Sequence, residues 1–217
     1  VVTMKFATSF ISADQAKKNL ELEISDRDTF DTVLAAAQKT WEDKLHIIEI
    51  EGATEDQMIT FYSNMYRMFS YPMNFSENTG TNEAPVWQYS SPYSGSNDKP
   101  VVKDGKIFAI NGFWDTYRTT WAAYALLTPT KDAEMLNGLV QHYNDVGWVP
   151  RWIAPGGTNS MVGTNSDVIF GDAAQRGIEF DWEGALQSSI RNASVYSTSE
   201  TLGRKQTDTS VFRGYTS

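Results

Sequence analysis

The first ten residues alternate. Val2, Met4, Phe6 and Phe10 share one parity while Lys5 and Ser9 take the other, which predicts a half-buried strand opening at Val1. No sheet partner for it is visible nearby, so the chain reads as cut from something longer. The period then lengthens. Ser12-Ala13-Asp14-Gln15 has capping-box spacing and opens a helix of about ten residues through Ala16 and Leu20. Phe30, Val33, Leu34, Ala37, Trp41, Leu45 and Ile48 recur at three- and four-residue steps and predict a second helix. Thr54-Glu55-Asp56-Gln57 repeats the capping box and leads into Met58, Ile59, Phe61, Tyr62, Met65, Tyr66, Met68 and Phe69. That third helix is apolar round most of its circumference, so it is expected between other layers, and Pro72 ends it.

Residues 73–111 lose the period and gain Asn, Ser, Gly and Pro, with Trp87, Tyr89 and Tyr93 embedded. A loop of that length inside a compact domain is usually functional or disordered, and its aromatic residues favour a packed loop. Asp104-Gly105 within it carries a hairpin-turn signal. Helical spacing returns as one helix from Phe113 to Leu127, stopped by Pro129, and another from Lys131 to Val146 with Gly147 as its cap. Met135, Leu136, Leu139, Val140 and Tyr143 form the stripe of the latter. Shorter helices follow over 167–176, with Asp167 as N-cap, over 181–195 and, weakly, over 202–211. Paired helices joined by polar-aromatic loops suit an α/α toroid, in which alternate loops converge on one end. The pattern equally permits a plain helical bundle or a solenoid.

Composition narrows the class. The chain has 217 residues, 41% of them hydrophobic, which is enough for a real core and excludes a disordered acidic tail. Eighteen basic against 27 acidic residues give a net charge of -9, which argues against a nucleic-acid partner. No run approaches the ~20 apolar residues of a membrane span. With no cysteine, disulfides, thiolate zinc sites and cysteine nucleophiles are all excluded. His46 and His142 have no partner at zinc-ligand spacing, and no phosphate loop or nucleophile elbow occurs.

Two clusters combine aromatic rings with polar groups. In Asn111-Gly112-Phe113-Trp114-Asp115-Thr116-Tyr117-Arg118, a helix from Gly112 onward would put Trp114, Tyr117, Arg118 and Trp121 on one face. Asp115 in the first turn is then either a plain helix-start acid or a ligand-binding carboxylate. The second cluster is Gly147-Trp148-Val149-Pro150-Arg151-Trp152, followed by a Gly/Pro/Asn loop containing Gly156-Gly157 and Asn159. Arg151 and Asn159 supply donors, and glycines let backbone approach a ligand closely. An aromatic platform beside a carboxylate and a guanidinium suits a sugar, which offers apolar ring faces and many hydroxyls. Asp172 falls on an apolar helix face, so it is either paired or part of a site.

At these clusters the chain resembles the calcium-dependent, exo-acting α-mannosidases of glycoside hydrolase family 92. The matching stretches are Phe61 to Tyr66, Gly112-Phe113-Trp114-Asp115-Thr116-Tyr117-Arg118, Gly147 to Trp152 and Thr158-Asn159-Ser160-Met161-Val162-Gly163. Ser9 to Ser12, Gln15-Ala16 and Asn19-Leu20 also match. The resemblance implies a mainly α chain: part of an (α/α)6 toroid preceded by the terminal β-strand of a β-sandwich domain. Residues 1–25 would end the sandwich and its connector, and residues 26–217 would form the first part of the barrel. It further implies hydrolysis of terminal α-linked mannose with inversion, with calcium helping to bind the sugar, and a secreted or periplasmic protein. Carried over by residue, Trp114 and Asp115 contact the mannose and Arg118 fixes Asp115 or the sugar, with Arg151 and Asn159 as further binding residues. The alternative for Arg118 and Asp172 is a buried structural pair.

The family's catalytic acid lies in a Glu-Gly-Asn-x-Trp-Gln-Tyr type motif and its base in an Asn-Asp-Asp-x-Gly type motif. Neither occurs in these 217 residues, so no catalytic residue is assigned and the chain alone is expected to be inactive. The family loop often carries Glu where Gly157 stands and Tyr-His where Thr164-Asn165 stand, so the leaving-group side of the pocket departs from the family pattern and linkage specificity is not carried over. The partners expected are an α-mannoside glycan and the rest of the polypeptide, or other chains, completing the barrel. Met65, Phe69 and Trp121 are accordingly expected to lack partners within this chain. A non-catalytic glycan-binding or scaffold protein on a helical half-barrel is the rival reading, and an unrelated helical toroid a third.

Overall fold

The computed structural model describes residues 2–96 and 99–215, so Val1 and Ser217, the outer limits of the expected domain spans, lie outside the described residues. Its elements in order are α1 (Ala13–Glu23), α2 (Phe30–Leu45), α3 (Glu55–Phe69), β1 (Met73–Asn74), β2 (Glu77–Asn78), β3 (Trp87–Ser96) and β4 (Lys99–Asp104). They continue as β5 (Phe108–Ala109), β6 (Asn111–Gly112), α4 (Phe113–Thr116), α5 (Thr120–Leu127), α6 (Pro129–Val146), β7 (Trp152–Ile153), α7 (Ser166–Gln175), α8 (Trp182–Ser194) and α9 (Thr207–Arg213). The chain divides into two compact units, one of residues up to Tyr71 with Glu77–Trp87, the other of Pro72–Ser76 with Gln88 onward.

In the first unit the expected strand does not form. Residues 2–9 make no ladder, and the alternation is present with its faces exchanged: Val2, Met4, Phe6 and Phe10 are exposed while Lys5, Ala7 and Ser9 are part-buried. A strand is held by its neighbour's backbone, and none of the described residues offers one here. Ser12 caps α1 by accepting from the Gln15 amide, but the reciprocal half of the box is absent. The Gln15 side chain is buried and donates instead to Asn19 Oδ1 and Asn78 O, tying α1 to the β2 segment. Thr54 and Gln57 do form the full box at the start of α3. Trp41 of α2 meets Tyr66 of α3 at 4.4 Å between ring centroids. Met65 alone of α3 is buried, so within this unit the helix is covered along one side.

The second unit holds the densest core. On α6, Met135, Leu136, Gly138, Leu139 and Val140 are buried, and Gly147 ends the helix in the left-handed region at φ 77°. A side chain at Gly138 would collide with the Phe108 ring, so this glycine lets β5 lie directly on α6. Within the long segment 73–111, the described residues of this unit form short antiparallel ladders in separate sheets. β3 and β4 are antiparallel from Gln88↔Asp104 to Ser96↔Lys99, and β1 pairs with β5. Asp104-Gly105 therefore ends β4 and does not turn the hairpin.

The single helix expected over 113–127 is two helices. Thr119 breaks it at φ −129°, ψ −83°. The Thr116 hydroxyl lies 3.0 Å from both Asn111 Oδ1 and Gly112 O, and the Thr119 hydroxyl 3.4 Å from Asp115 O. Local hydroxyl-to-backbone bonds of this kind compete with a continuous helix. Asp167 is also not the N-cap of α7. Asn165 holds that position, and Asp167 sits inside the first turn, accepting from Asn192 Nδ2 at 2.9 Å.

Met65 and Trp121 are buried, at 6% and 3% exposure, and Phe69 carries Lys44 Nζ 4.4 Å above its ring. The three residues expected to lack partners have them. Other apolar side chains are exposed, among them Val2, Met4, Phe6, Phe30, Leu126 and Phe212.

Candidate functional site

The two aromatic clusters, about forty residues apart in sequence, are joined by the shortest possible ladder. β6 and β7 pair antiparallel, Gly112 opposite Trp152 and Asn111 opposite Ile153. Gly112 has no room for a side chain: a Cβ there would collide with Trp152 Nε1 and sit 2.9 Å from Asp115 Oδ2. The indole N–H of Trp152 and the carboxylate of Asp115 thus flank one bare backbone position. Asp115 is exposed in the first turn of α4, where helix N-terminal amides favour a negative charge, and Trp114 beside it is 42% exposed.

The base of this junction is fixed by Asn111. Its buried Oδ1 lies 3.0 Å from the Thr116 hydroxyl and 3.4 Å from Trp121 Nε1, which also donates to Thr116 Oγ1 at 3.2 Å. Trp121 is therefore a core residue holding α4 in place. Trp148 is likewise buried, under the Arg191 guanidinium at 4.6 Å. Of the four tryptophans at these junctions, only Trp114 and Trp152 offer surface to a ligand.

Arg151 is 5% exposed and anchors the second cluster. One guanidinium nitrogen donates to Asn159 Oδ1 at 3.1 Å and to Glu200 O at 2.5 Å, while Nε is buried with no partner among the described residues. Burial lowers the Arg151 pKa, and the Glu200 charge acts in the opposite direction. Between Trp152 and Asn159 the chain folds back on itself, with Thr158 N donating to Trp152 O at 2.9 Å and Ala154 N to Gly156 O at 2.8 Å. That return brings Asn159 to Arg151.

The structure groups Asp115, Trp114 and Trp152 at the ladder and Arg151 with Asn159 at its far flank. Arg118 joins neither group. It is exposed, and its guanidinium stacks 4.6 Å from the ring centroid of neighbouring Tyr117. The break at Thr119 also separates Trp114, Tyr117, Arg118 and Trp121, which share no helix face. Nor do Arg118 and Asp172 form a buried pair, because Asp172 bonds Arg176 one turn on at 2.8 Å. Sequence reasoning did not single out Trp152 as a neighbour of Asp115, or Gly112 as the position that admits both. A two-residue ladder has no periodicity to detect.

Asp132 is a second unforeseen carboxylate. It is 1% exposed at the start of α6, its Oδ1 has no partner among the described residues, and its pKa is pushed up to about 7 by burial and then by the Asp172 charge. Among the described residues no group of three or more His, Cys, Asp or Glu side chains converges as a metal site.

Known proteins provide a frame for this geometry. The sequence pattern of the glycosyl hydrolase family 92 catalytic domain matches residues 15–217. An uncharacterized secreted glycosidase of Arthroderma benhamiae is 28% identical over 202 residues, covering 89% of this chain and 20% of that protein. The solved structure of a family 92 inverting mannosidase from Bacteroides thetaiotaomicron superposes with a TM-score of 0.83 at 33% identity, over 95% of this chain and 27% of that one. A family 92 α-mannosidase from the same organism shares the fold, with a TM-score of 0.75 at 23% identity, over 88% of this chain and 24% of its own. The chain thus spans about a quarter or less of the relatives it matches. With the pattern matching from Gln15 to the last residue, this chain belongs to glycosyl hydrolase family 92.

Proposed function

We propose that these residues supply the mannose-binding side of an inverting exo-α-mannosidase and contain neither its acid nor its base. The observation that carries this reading is the β6–β7 ladder, which sets the exposed Asp115 carboxylate and the Trp152 indole on either side of Gly112. Asp115 accepts hydroxyl hydrogens from the terminal mannose, Trp114 offers an apolar face, and Arg118 orients the carboxylate or the sugar when ligand is bound. Arg151 and Asn159 act from the opposite flank, where the buried Arg151 guanidinium holds the exposed Asn159 side chain. The inversion expected of the whole enzyme needs two carboxyl groups ~6.5–9.5 Å apart. Those groups belong to motifs absent from this sequence.

In this reading residues 26–217 are the first part of an (α/α)6 toroid, residues 1–25 close a preceding β-sandwich, and the protein acts in a secreted or periplasmic setting. The secreted relative supports that setting. The described residues do not form a carboxylate cage that fits calcium. Calcium, which the family resemblance implies, is proposed to take its ligands mostly from other parts of the enzyme.

The test compares the 217-residue chain with the complete gene product on an aryl α-mannoside. The complete protein should turn over, with the β-anomer of mannose appearing first by proton NMR, and the chain alone should not. Turnover by the chain alone would refute the division of labour. Sugar binding without turnover by the complete protein would favour the non-catalytic glycan-binding reading.

A further inference from the structure

We infer that Tyr93 is a positioning residue for the candidate site, holding the β3–β4 hairpin as a backstop behind the loop that carries Trp152 and Asn159. This rests on the mannoside-binding reading above for its kinetic test only. The hairpin is bolted to one face of α6 at two levels. Tyr89 donates to Asp145 at 2.9 Å and accepts from Gln141 at 2.9 Å, while Lys103 pairs with Asp145 at 2.8 Å. One turn back, the Tyr93 hydroxyl meets His142 Nδ1 at 2.6 Å. His142 is fully buried, and its Nε2 lies 2.8 Å from Phe108 O, a carbonyl that can only accept. Nε2 therefore carries the proton, Nδ1 is the acceptor, and Tyr93 must donate. Burial lowers the His142 pKa to about 4, so this arrangement does not change near neutrality.

What distinguishes the Tyr93 level is its other side. A Cβ built at Gly156 would lie 3.2 Å from Pro92 O and 3.5 Å from Tyr93 Cε1. Gly156 is the middle of the return between Trp152 and Asn159, and its carbonyl accepts from Ala154 N. Thr201 and Leu202 close on the adjacent Gly157, at 3.3 and 2.8 Å from its own would-be Cβ. The return is thus gripped from the hairpin at Gly156 and from the 201–202 segment at Gly157. Tyr89 has the same helix and the same kind of buried bond, yet the atoms against Gly156 are those of Pro92 and Tyr93. A shift at Tyr93 therefore reaches Trp152 and Asn159, and a shift at Tyr89 does not.

The experiment uses Tyr93→Phe, Tyr89→Phe and Gly156→Ala in the complete gene product, with hydrogen exchange by mass spectrometry and mannoside kinetics. Tyr93→Phe and Gly156→Ala should speed exchange across 152–159 and raise KM by roughly five- to tenfold with kcat within about twofold. Tyr89→Phe should speed exchange in the hairpin alone and leave KM unchanged. Equal exchange in 152–159 for both tyrosine variants, or none in either, would overturn the inference. Loop exchange as expected with no mannoside turnover by any protein, wild type included, would sink the functional reading and leave the positioning role standing.

Discussion

Helices α2 and α6 each carry an apolar stripe at helical spacing, and they end in opposite circumstances. On α6 the stripe is sealed, with Leu136 and Leu139 fully buried beneath β5 and the helices around it. On α2 no residue is buried, and Phe30 is 71% exposed. Periodicity tells which side of a helix is apolar, whereas burial depends on what lies against that side. Seven residues of α6 are buried because β5, α5 and α8 all pack on it, while α2 has α3 as its main neighbour.

This contrast can be broken by substitution, from the largest effect to the smallest. Leu136→Ala on α6 should lower the unfolding free energy of the chain by about 2–5 kcal/mol, read by urea denaturation. The next effect depends on pH and belongs to Asp132. In an unfolded chain its carboxyl ionises near 3.8, while in the fold it stays protonated to about 7. Stability is therefore fullest below the unfolded value and falls as pH rises toward about 7. Asp132→Asn removes that fall, so the variant should gain on wild type by roughly 1–3 kcal/mol above neutrality and by little near pH ~4. A gain that is the same at both ends would mean the carboxyl is not the cause. Val33→Ala on α2 should cost less than about 0.5 kcal/mol in this chain. A cost rivalling that of Leu136→Ala would show that α2 is covered in solution.

Much of this was legible in the sequence, for physical reasons that differ by element. The α6 stripe and its Gly147 cap could be read because helix period and left-handed glycine are local signals. The Thr54–Gln57 box was equally local. The N-terminal alternation was real, but the partner that makes a strand is not local. The break at Thr119 turns on threonine hydroxyls competing with the backbone, which a run of apolar positions conceals. For the site, Asp115 and Arg151 stood out as polar groups among aromatics. The ladder that brings Trp152 against Gly112 did not, since two-residue strands leave no pattern. The shared helix face of Trp114, Arg118 and Trp121 was not legible correctly either, since Arg118 lies between the end of α4 and the start of α5.

The most direct measurement is the kinetics of Asp115→Ala in the complete gene product on an aryl α-mannoside. Asp115 is exposed, and its carboxylate has no hydrogen-bond or ion-pair partner among the described residues. Loss of kcat/KM by about 100-fold, with the melting temperature within about 2 °C of wild type, is the result expected of a sugar-binding carboxylate. Unchanged kinetics in a folded variant would remove Asp115, and with it the β6–β7 junction, from the site.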